Sequence, residues 1–165
     1  MIEVLRLGHR ISRDKRIGTH VALVARAFGA KKLYYTGQKD SDMEDSIEEI
    51  VKGFGGDFDI EYVKTYKKLF KNKIVVHLTV YGLDFREKIE ELKGKDILVV
   101  VGGEKVPIEI YKEAYYNLSV TNQPHSEVGA LAVFLDHFVG SYPIFKGKMN
   151  IKPSARGKVV LKRKL

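Results

Sequence analysis

The chain has 165 residues, of which 44% are hydrophobic and 30% are charged. This size and composition are typical of one domain with a sizeable core, and they exclude an intrinsically disordered protein. The absence of cysteine excludes disulfides and thiolate chemistry and fits an intracellular protein, so we expect a cytoplasmic location. No apolar run approaches the roughly 18 residues of a membrane-spanning helix, so we expect no membrane partner.

The formal net charge of +8 is concentrated at the C-terminus. Eight of the 29 Lys and Arg residues lie in 146–165, which holds no acidic residue, and the other 21 are balanced by 21 acidic residues. A second basic stretch lies at 6–16. Two basic segments on a neutral body indicate a polyanion partner, although a tail that only aids solubility is the alternative. We predict one domain over 1–145 and a basic extension over 146–165 that forms an added strand or hairpin.

Taken in chain order, apolar runs alternate with segments of helical spacing. The runs predict strands at 2–7, 32–36, 58–63, 73–82, 96–103 and 117–122. The spacing predicts helices over 19–28, 41–54, 85–92 and 126–138 and a short helix from Pro107, with residues 8–18 as a basic loop. Ser41 and Ser126 are the predicted helix caps. The alternation predicts an α/β fold with a mostly parallel sheet and helices on both faces.

Three strand ends are unusual, and ligands of open α/β sheets bind beyond the carboxyl ends of the strands. "HLTVYG" puts Thr79 and a glycine just after an apolar run, and "VVVGGEKVP" puts Gly102 and Gly103 there. Paired glycines let a ligand approach the backbone closely. "SVTNQPHSE" supplies five hydrogen-bonding side chains within six residues. Together these ends predict a pocket for an uncharged small ligand, beside the basic segments.

Several other chemistries lack their motifs. There is no G-x-x-x-x-G-K-[ST], no G-x-G-x-x-G, no H-E-x-x-H and no C-x-x-C, so neither a phosphate loop nor a metal site is expected. His77 lies inside an apolar strand and His137 inside an apolar helix, and we interpret both as structural. His125 and Ser126 are adjacent but have no evident acid–base partner, which disfavours a hydrolase triad.

Four stretches carry a family resemblance: "RDKRIGTHVALVARAFGA", "HLTVYG", "VVVGGEKVP" and "VTNQPHSEVGALAVFLDHF". In this order they resemble the SPOUT superfamily of RNA methyltransferases, and more closely the archaeal family that 2′-O-methylates cytidine 56 in the tRNA T-loop. The resemblance covers roughly residues 1–150 and also the basic tail. It implies a deep C-terminal trefoil knot, S-adenosylmethionine as methyl donor, tRNA as acceptor and a homodimer with shared active sites.

The resemblance also implies the site residues. The cofactor would be held by Leu78, Thr79, Gly102, Gly103, Glu104, Lys105, Val106, Val120, Thr121, Asn122, Gln123, Pro124, His125, Ser126 and Glu127. The broader 2′-O-methylating branch has an asparagine and, six residues later, an arginine before the end of the first helix; here Ile17 and Leu23 occupy those places. The candidates for the catalytic arginine are therefore Arg16, preferred because it lies in the basic loop, and Arg26. Either would hold the phosphate beside the reacting ribose.

The segment 126–138 is nearly all apolar, with no polar face between Val128 and Leu135. We expect it to be buried on all sides, either in a subunit contact or as a central helix of a monomer. Two other functions remain open: a non-enzymatic RNA-binding protein that uses the tail and the Arg-rich loop, and a nucleotide hydrolase. Affinity for the methyl donor separates the first from a methyltransferase, and phosphate release would identify the second.

Overall fold

The computed structural model describes residues 1–103 and 105–163, so the predicted site residue Glu104 lies outside the described residues. The strands are β1 (Ile2–His9), β2 (Lys32–Gly37), β3 (Asp59–Tyr62), β4 (Ile74–Asp84), β5 (Ile97–Gly102), β6 (Tyr116–Ser119), β7 (Met149–Lys152) and β8 (Val159–Lys162). The helices are α1 (Ile11–Ala27), α2 (Ser41–Phe54), α3 (Ile89–Leu92), α4 (Ile108–Glu113) and α5 (Glu127–Val139). Short 3-10 turns occupy Lys67–Phe70 and Phe85–Glu87.

Six strands form one parallel sheet in the order β3-β2-β1-β5-β4-β6. The chain therefore builds β1, β2 and β3 outward in one direction, crosses to β4 and inserts β5 between β4 and β1. The prediction of an α/β fold with a mostly parallel sheet is confirmed. A crevice at the carboxyl edge is expected where the strand order reverses, which here is around β1, β5 and β4.

Both faces of the sheet are covered. One face packs against α1, α2, α3 and α5 around residues such as Val99 and Phe134. The other packs Leu98 and Val100 against Ile110 of α4 and the turn at Lys67–Phe70. Because β5 is covered on both sides, its sequence is a continuous apolar run without alternation.

The first helix begins eight residues earlier than the sequence pattern predicts, so the expected basic loop over 8–18 is wrong. Its first backbone groups are satisfied by distant or neighbouring side chains: Ile11 N donates to Gln38 Oε1 at 2.8 Å and Arg10 N donates to Asp14 Oδ2 at 3.2 Å. The Gln38 contact comes from the loop after β2, so a local pattern does not contain it. Arg16 consequently lies on a helix.

Two further boundaries differ from the prediction, and one cap agrees. Asp40, and not Ser41, caps α2, because its Oδ1 accepts from Met43 N at 3.1 Å. Ser126 caps α5 as predicted, accepting from Val128 N at 3.1 Å. Strand β6 ends at Ser119 and not at residue 122. The residues after it are exposed and form a loop.

Helix α5 is not buried on all sides within this chain. Leu131 and Phe134 face the core, whereas Gly129 is exposed and Val133 is 39% exposed. The helix packs against α1 and α3 on one side and turns its other apolar side to solvent. The alternative of a central helix buried within one chain is therefore wrong, and burial of this side in a subunit contact stays a prediction.

The basic C-terminal segment contains an antiparallel hairpin, β7 and β8, that pairs Met149 with Lys162 and Lys152 with Val159. The hairpin contacts α2. Just before it, Gly147 lies so close to the end of α2 that an added Cβ would meet the carbonyl carbon of Phe54 at 2.2 Å. Among the described residues, no helix is long and apolar enough to span a membrane.

Candidate active site at the carboxyl ends of the strands

A cleft of about 500 Å³ opens at the carboxyl ends of β4 and β5. The two strands, the start of α1 and the loop that leads into α5 all contribute to it. The lining residues are Arg10, Arg13, Asp14, Ile17, His77, Leu78, Thr79, Val80, Tyr81, Gly102, Gly103, Val106, Tyr111, Pro124, His125, Glu127 and Ala130. The structure thus brings all three unusual strand ends together.

The end of β4 leaves the sheet as a loop. Leu78 and Leu83 both pair with Leu118 of β6, so residues 79–82 leave the ladder, and the first three of them line the cleft. Asn122 Nδ2 holds this loop by donating to Val80 O at 2.6 Å and to Gly82 O at 3.1 Å. Asn122, one of the predicted cofactor residues, therefore fixes the shape of the cleft wall.

The two glycines at the end of β5 have different surroundings. A Cβ on Gly102 would lie 2.2 Å from Val106 Cγ2, so the turn itself leaves no room for a side chain there. A Cβ on Gly103 would meet no protein atom within 4 Å. Gly102 is therefore required by packing, whereas Gly103 leaves open space in the cleft.

The start of α1 contributes a face that the predicted loop did not contain. Arg10 is followed at three, four and seven residues by Arg13, Asp14 and Ile17, and all four line the cleft. Such a spacing places side chains on one side of a helix. This i, i+3, i+4, i+7 pattern was the signal in the sequence that could have identified them.

A buried arginine links α1 and α5 behind the cleft. Arg6 of β1 is 1% exposed, and its Nη2 lies 3.7 Å from Asp14 Oδ2 and 3.6 Å from Glu127 Oε1. Its Nε and Nη1 have no hydrogen-bond partner among the residues that the structure describes. Burial lowers the pKa of Arg6, against the opposing effect of the two carboxylates. A charged residue inside an apolar run was the sequence signal for this cluster.

Asp14 is held in its ionised form. Burial acts to raise its pKa, but the hydrogen bonds from Arg10 and the positive charges of Arg6 and Arg10 outweigh burial and hold the pKa below its usual range. Arg10 Nε donates to Asp14 Oδ2 at 3.3 Å. The cleft wall at this point therefore carries fixed charges of both signs.

His77 lies in the same cleft as a neutral group. Asn117 Nδ2 donates to Tyr111 O at 2.8 Å, which leaves Asn117 Oδ1 to accept from His77 Nδ1, also at 2.8 Å. The imidazole packs edge-on against Tyr111, with ring centroids 4.7 Å apart. Burial lowers the pKa of His77, an effect that the hydrogen bond to Asn117 partly offsets.

The predicted cofactor residues fall into two groups. Those that line the cleft are Leu78, Thr79, Gly102, Gly103, Val106, Pro124, His125 and Glu127. Of the others, Val120 packs against the core, Ser126 caps α5, and Thr121 and Gln123 are exposed in the loop. Lys105 lines a neighbouring cleft, also of about 500 Å³, which shares Arg10, Arg13 and Gly103 with the first.

Neither predicted catalytic arginine lines the cleft of its own chain. Arg16 is exposed on α1. Arg26 lies in the last turn of α1, where it is buried, donates to Gly55 O and has its guanidinium 4.5 Å from the centre of the Phe145 ring. The arginines that do reach the cleft are Arg10 and Arg13.

No group of three His, Asp or Glu side chains within residues 1–103 and 105–163 is arranged to hold a metal ion. The cleft instead combines apolar side chains, backbone made accessible at Gly103, and a few charged groups. This is the composition expected of a site for an organic cofactor or substrate.

Comparison with solved structures identifies the fold. The SpoU methyltransferase AviRb from Streptomyces viridochromogenes, in complex with the cofactor AdoMet, has a TM-score of 0.62 and 14% identity, over 85% of this chain and 57% of that chain. The TrmH/SpoU tRNA modifying enzyme from A. aeolicus has a TM-score of 0.60 and 17% identity, over 84% of this chain and 74% of that chain. The fold is therefore that of the SpoU methyltransferases.

Sequence comparison identifies the family. A family model described as tRNA ribose 2′-O-methyltransferase, aTrm56, matches residues 54–161. A tRNA (cytidine(56)-2′-O)-methyltransferase from Thermococcus kodakarensis is 49% identical over 98% of this chain and 97% of its own length. The enzyme of the same name from Methanocaldococcus jannaschii is 48% identical over 99% of this chain and 98% of its own length. The chain belongs to the aTrm56 family, which confirms the resemblance noted in the sequence.

Proposed function

We propose that this chain transfers a methyl group from S-adenosylmethionine to the ribose 2′-hydroxyl of cytidine 56 in tRNA. Family membership gives the reaction class, a tRNA ribose 2′-O-methyltransferase. The target nucleotide follows from relatives that match nearly the whole chain and are named for this reaction. The observation that carries the proposal is the cleft at the carboxyl edge, where three strand ends meet as an organic cofactor requires.

The residues of the cleft fit S-adenosylmethionine. Ile17, Leu78 and Val106 form an apolar wall, and Gly103 leaves backbone open to a ligand. A neutral adenosine needs such a wall together with a few polar groups. The AdoMet complex of AviRb, which shares the fold, supports the same choice. When bound, the cofactor supplies an electrophilic methyl group, so the chain has to orient the ribose hydroxyl and exclude water.

We assign the phosphate-holding role to Arg10 and Arg13. Both line the cleft and the neighbouring cleft that also contains Lys105, so a ribose-phosphate backbone could run from one to the other. Arginine suits this role because its planar guanidinium binds phosphate through two hydrogen bonds and stays charged. Arg16 is exposed on α1 and stays a candidate for the cleft of a second subunit.

Tyr81 offers a surface for an extruded base. Its side chain is 82% exposed at the lip of the cleft, on the loop that Asn122 holds in place. Enzymes that modify a buried nucleotide take it out of its stack, and an aromatic face then replaces part of the lost stacking. An exposed tyrosine that lines the same cleft as Arg10 and Arg13 meets this requirement.

A homodimer and a trefoil knot remain part of the proposal. The exposed apolar side of α5, with Gly129 and Val133, supports a subunit contact because a partner would cover it. The close approach of two chain segments supports the knot: a Cβ on Gly82 would lie 2.6 Å from the backbone of Leu118, and Asn122 crosses back to the same loop.

The basic hairpin and the second cleft are the proposed tRNA-binding surfaces. Residues of β8 and the turn before it are exposed, and the segment 146–163 holds seven Lys and Arg residues and no acid. Contacts of this type bind the phosphate backbone and make affinity fall with salt concentration, without selecting a sequence. Because the hairpin contacts α2, we regard 146–165 as an extension of the domain. A cytoplasmic location stays a prediction.

The test is methyl transfer from labelled S-adenosylmethionine to an unmodified tRNA transcript, with the product mapped by nucleotide. A matched transcript with a single 2′-deoxy cytidine at position 56 is the control, because it removes only the reacting hydroxyl. We expect one 2′-O-methyl group at cytidine 56 in the first transcript and none in the control.

Other outcomes identify the alternatives. Tight, salt-sensitive tRNA binding without any affinity for S-adenosylmethionine would indicate a non-enzymatic RNA-binding protein. Phosphate release from a nucleotide would indicate a hydrolase. Transfer to both transcripts at a position other than 56 would refute the target nucleotide while preserving the reaction class.

A further inference from the structure

One carboxylate in the cleft is ion-paired with a buried arginine but is too far from it to accept a hydrogen bond. Glu127 stands in the first turn of α5 and lines the cleft, with its side chain 20% exposed. Its carboxylate lies 3.6 Å from Arg6 Nη2 and accepts no hydrogen bond from the residues that the structure describes. A carboxylate in a partly dry cleft favours a cationic hydrogen-bond donor, because such bonds are about twice as strong as neutral ones.

Arg6 lies beside this carboxylate but is not dedicated to it. The same guanidinium group lies 3.7 Å from Asp14, which is also hydrogen-bonded by Arg10. Arg6 is thus shared between two carboxylates on two different helices, at distances too long for hydrogen bonds in both cases. Because Arg6 belongs to the central strand β1 and is almost completely buried, it gives Glu127 a fixed ion-pair partner behind the cleft.

We propose that Glu127 is a cation subsite of the cofactor cleft that accepts the ammonium group of the methionine moiety of S-adenosylmethionine, and that Arg6 is its positioning residue. This inference rests on the proposed function. It explains why a charged residue occupies an otherwise apolar stretch of β1, and why Glu127 faces the cleft while its neighbour Ser126 caps the helix.

The test measures the binding of three adenosine compounds by calorimetry, without any turnover. S-adenosylmethionine and S-adenosylhomocysteine carry the ammonium group, whereas 5′-methylthioadenosine lacks the whole amino-acid part. We expect Glu127→Gln, which keeps the size and removes the charge, to weaken the first two by at least about tenfold and the third by less than about twofold. Glu109→Gln, in the exposed first turn of α4, is the matched control and leaves all three unchanged.

Three results would overturn the inference or its basis. Equal loss for all three compounds would mean that Glu127 only supports the cleft structurally. No loss for any of them would mean that the carboxylate faces the RNA or solvent. If the wild-type protein binds none of the three, the cofactor assignment fails, and this subsite fails with it.

If Glu127→Gln folds poorly, the variants Arg6→Lys and Glu127→Asp provide a second test. Both retain the charge but change the reach of the side chain, so each is expected to lower the ratio of S-adenosylmethionine affinity to 5′-methylthioadenosine affinity. A smaller fall than that of Glu127→Gln is expected. An unchanged ratio in both variants would refute the positioning role of Arg6.

Discussion

Substitutions at the two glycines that end β5 should separate an effect on stability from an effect on cofactor binding. A Cβ on Gly102 would lie 2.2 Å from Val106 Cγ2, where an ordinary contact between carbon atoms is about 3.5 to 4.0 Å. Val106 would have to move by more than about 1 Å, and overpacking of this kind costs about 1 to 3 kcal/mol. A Cβ on Gly103 meets no protein atom within 4 Å, so it costs the fold little.

We therefore expect Gly102→Ala to lower the free energy of unfolding by about 1 to 3 kcal/mol and the melting temperature by about 2 to 12 °C for a chain of this size. Gly103→Ala should leave both within about 0.5 kcal/mol of the wild type. Its added methyl group instead enters the cleft, so the affinity for S-adenosylmethionine should fall by about 5- to 150-fold, equivalent to an overpacking cost of about 1 to 3 kcal/mol.

The assay pairs denaturant unfolding of the two variants with calorimetric titration of the cofactor. The reasoning fails if Gly103→Ala destabilises the protein as much as Gly102→Ala. It also fails if Gly103→Ala binds the cofactor as tightly as the wild type, because the space beside Gly103 would then lie outside the ligand site.

Three further predictions concern His77, Gly129 and Arg26. Burial lowers the pKa of His77 in the folded chain, so the unfolded chain binds a proton more readily. The free energy of unfolding should therefore be highest above about pH 6.5 and should fall as the pH drops below that value. In His77→Gln, the free energy of unfolding measured between pH 5 and 7.5 should depend less on pH. Gly129→Ala should raise the free energy of unfolding of the isolated chain by about 1 kcal/mol, because alanine favours the helix and its added methyl group meets no atom within 4 Å. If a partner subunit packs against this position, the same change should weaken dimerisation measured by sedimentation. Arg26→Met should cost about 1 to 3 kcal/mol by removing the donor to Gly55 O, without changing cofactor affinity; a stable variant that has lost only methyl transfer would instead support a catalytic role.

The central strand β5 is readable from the sequence because it is buried on both faces. A strand covered on both sides must be apolar at every position, so "ILVVV" can hardly be anything else at that length. The strand ends follow from the same pattern, which is why Gly103, Thr79 and His125 were identifiable as residues of one edge.

What the sequence pattern missed depends on contacts between distant segments. The first turns of α1 have no apolar stripe of their own, and they are helical because Gln38 and Asp14 satisfy the first backbone groups. Likewise, Asn122 looks like a ligand-binding amide in the sequence, but both of its amide hydrogen bonds go to the β4 loop. Only the fold brings those partners together.

The positions of the arginines along α1 decide which of them reach the cleft. Arg13 and Arg26 stand 13 residues apart on α1, or about 20 Å at 1.5 Å per residue. A helix that presents Arg13 to the cleft therefore puts Arg26 at its far end, where it links α1 to the end of α2 and to Phe145. Arg16 stands only three residues after Arg13, but its side chain is exposed and is not among those that line the cleft. Within one chain, Arg10 and Arg13 are the arginines placed for the proposed phosphate-holding role, because they line the cleft. An active site that used Arg16 would need a second subunit to supply it.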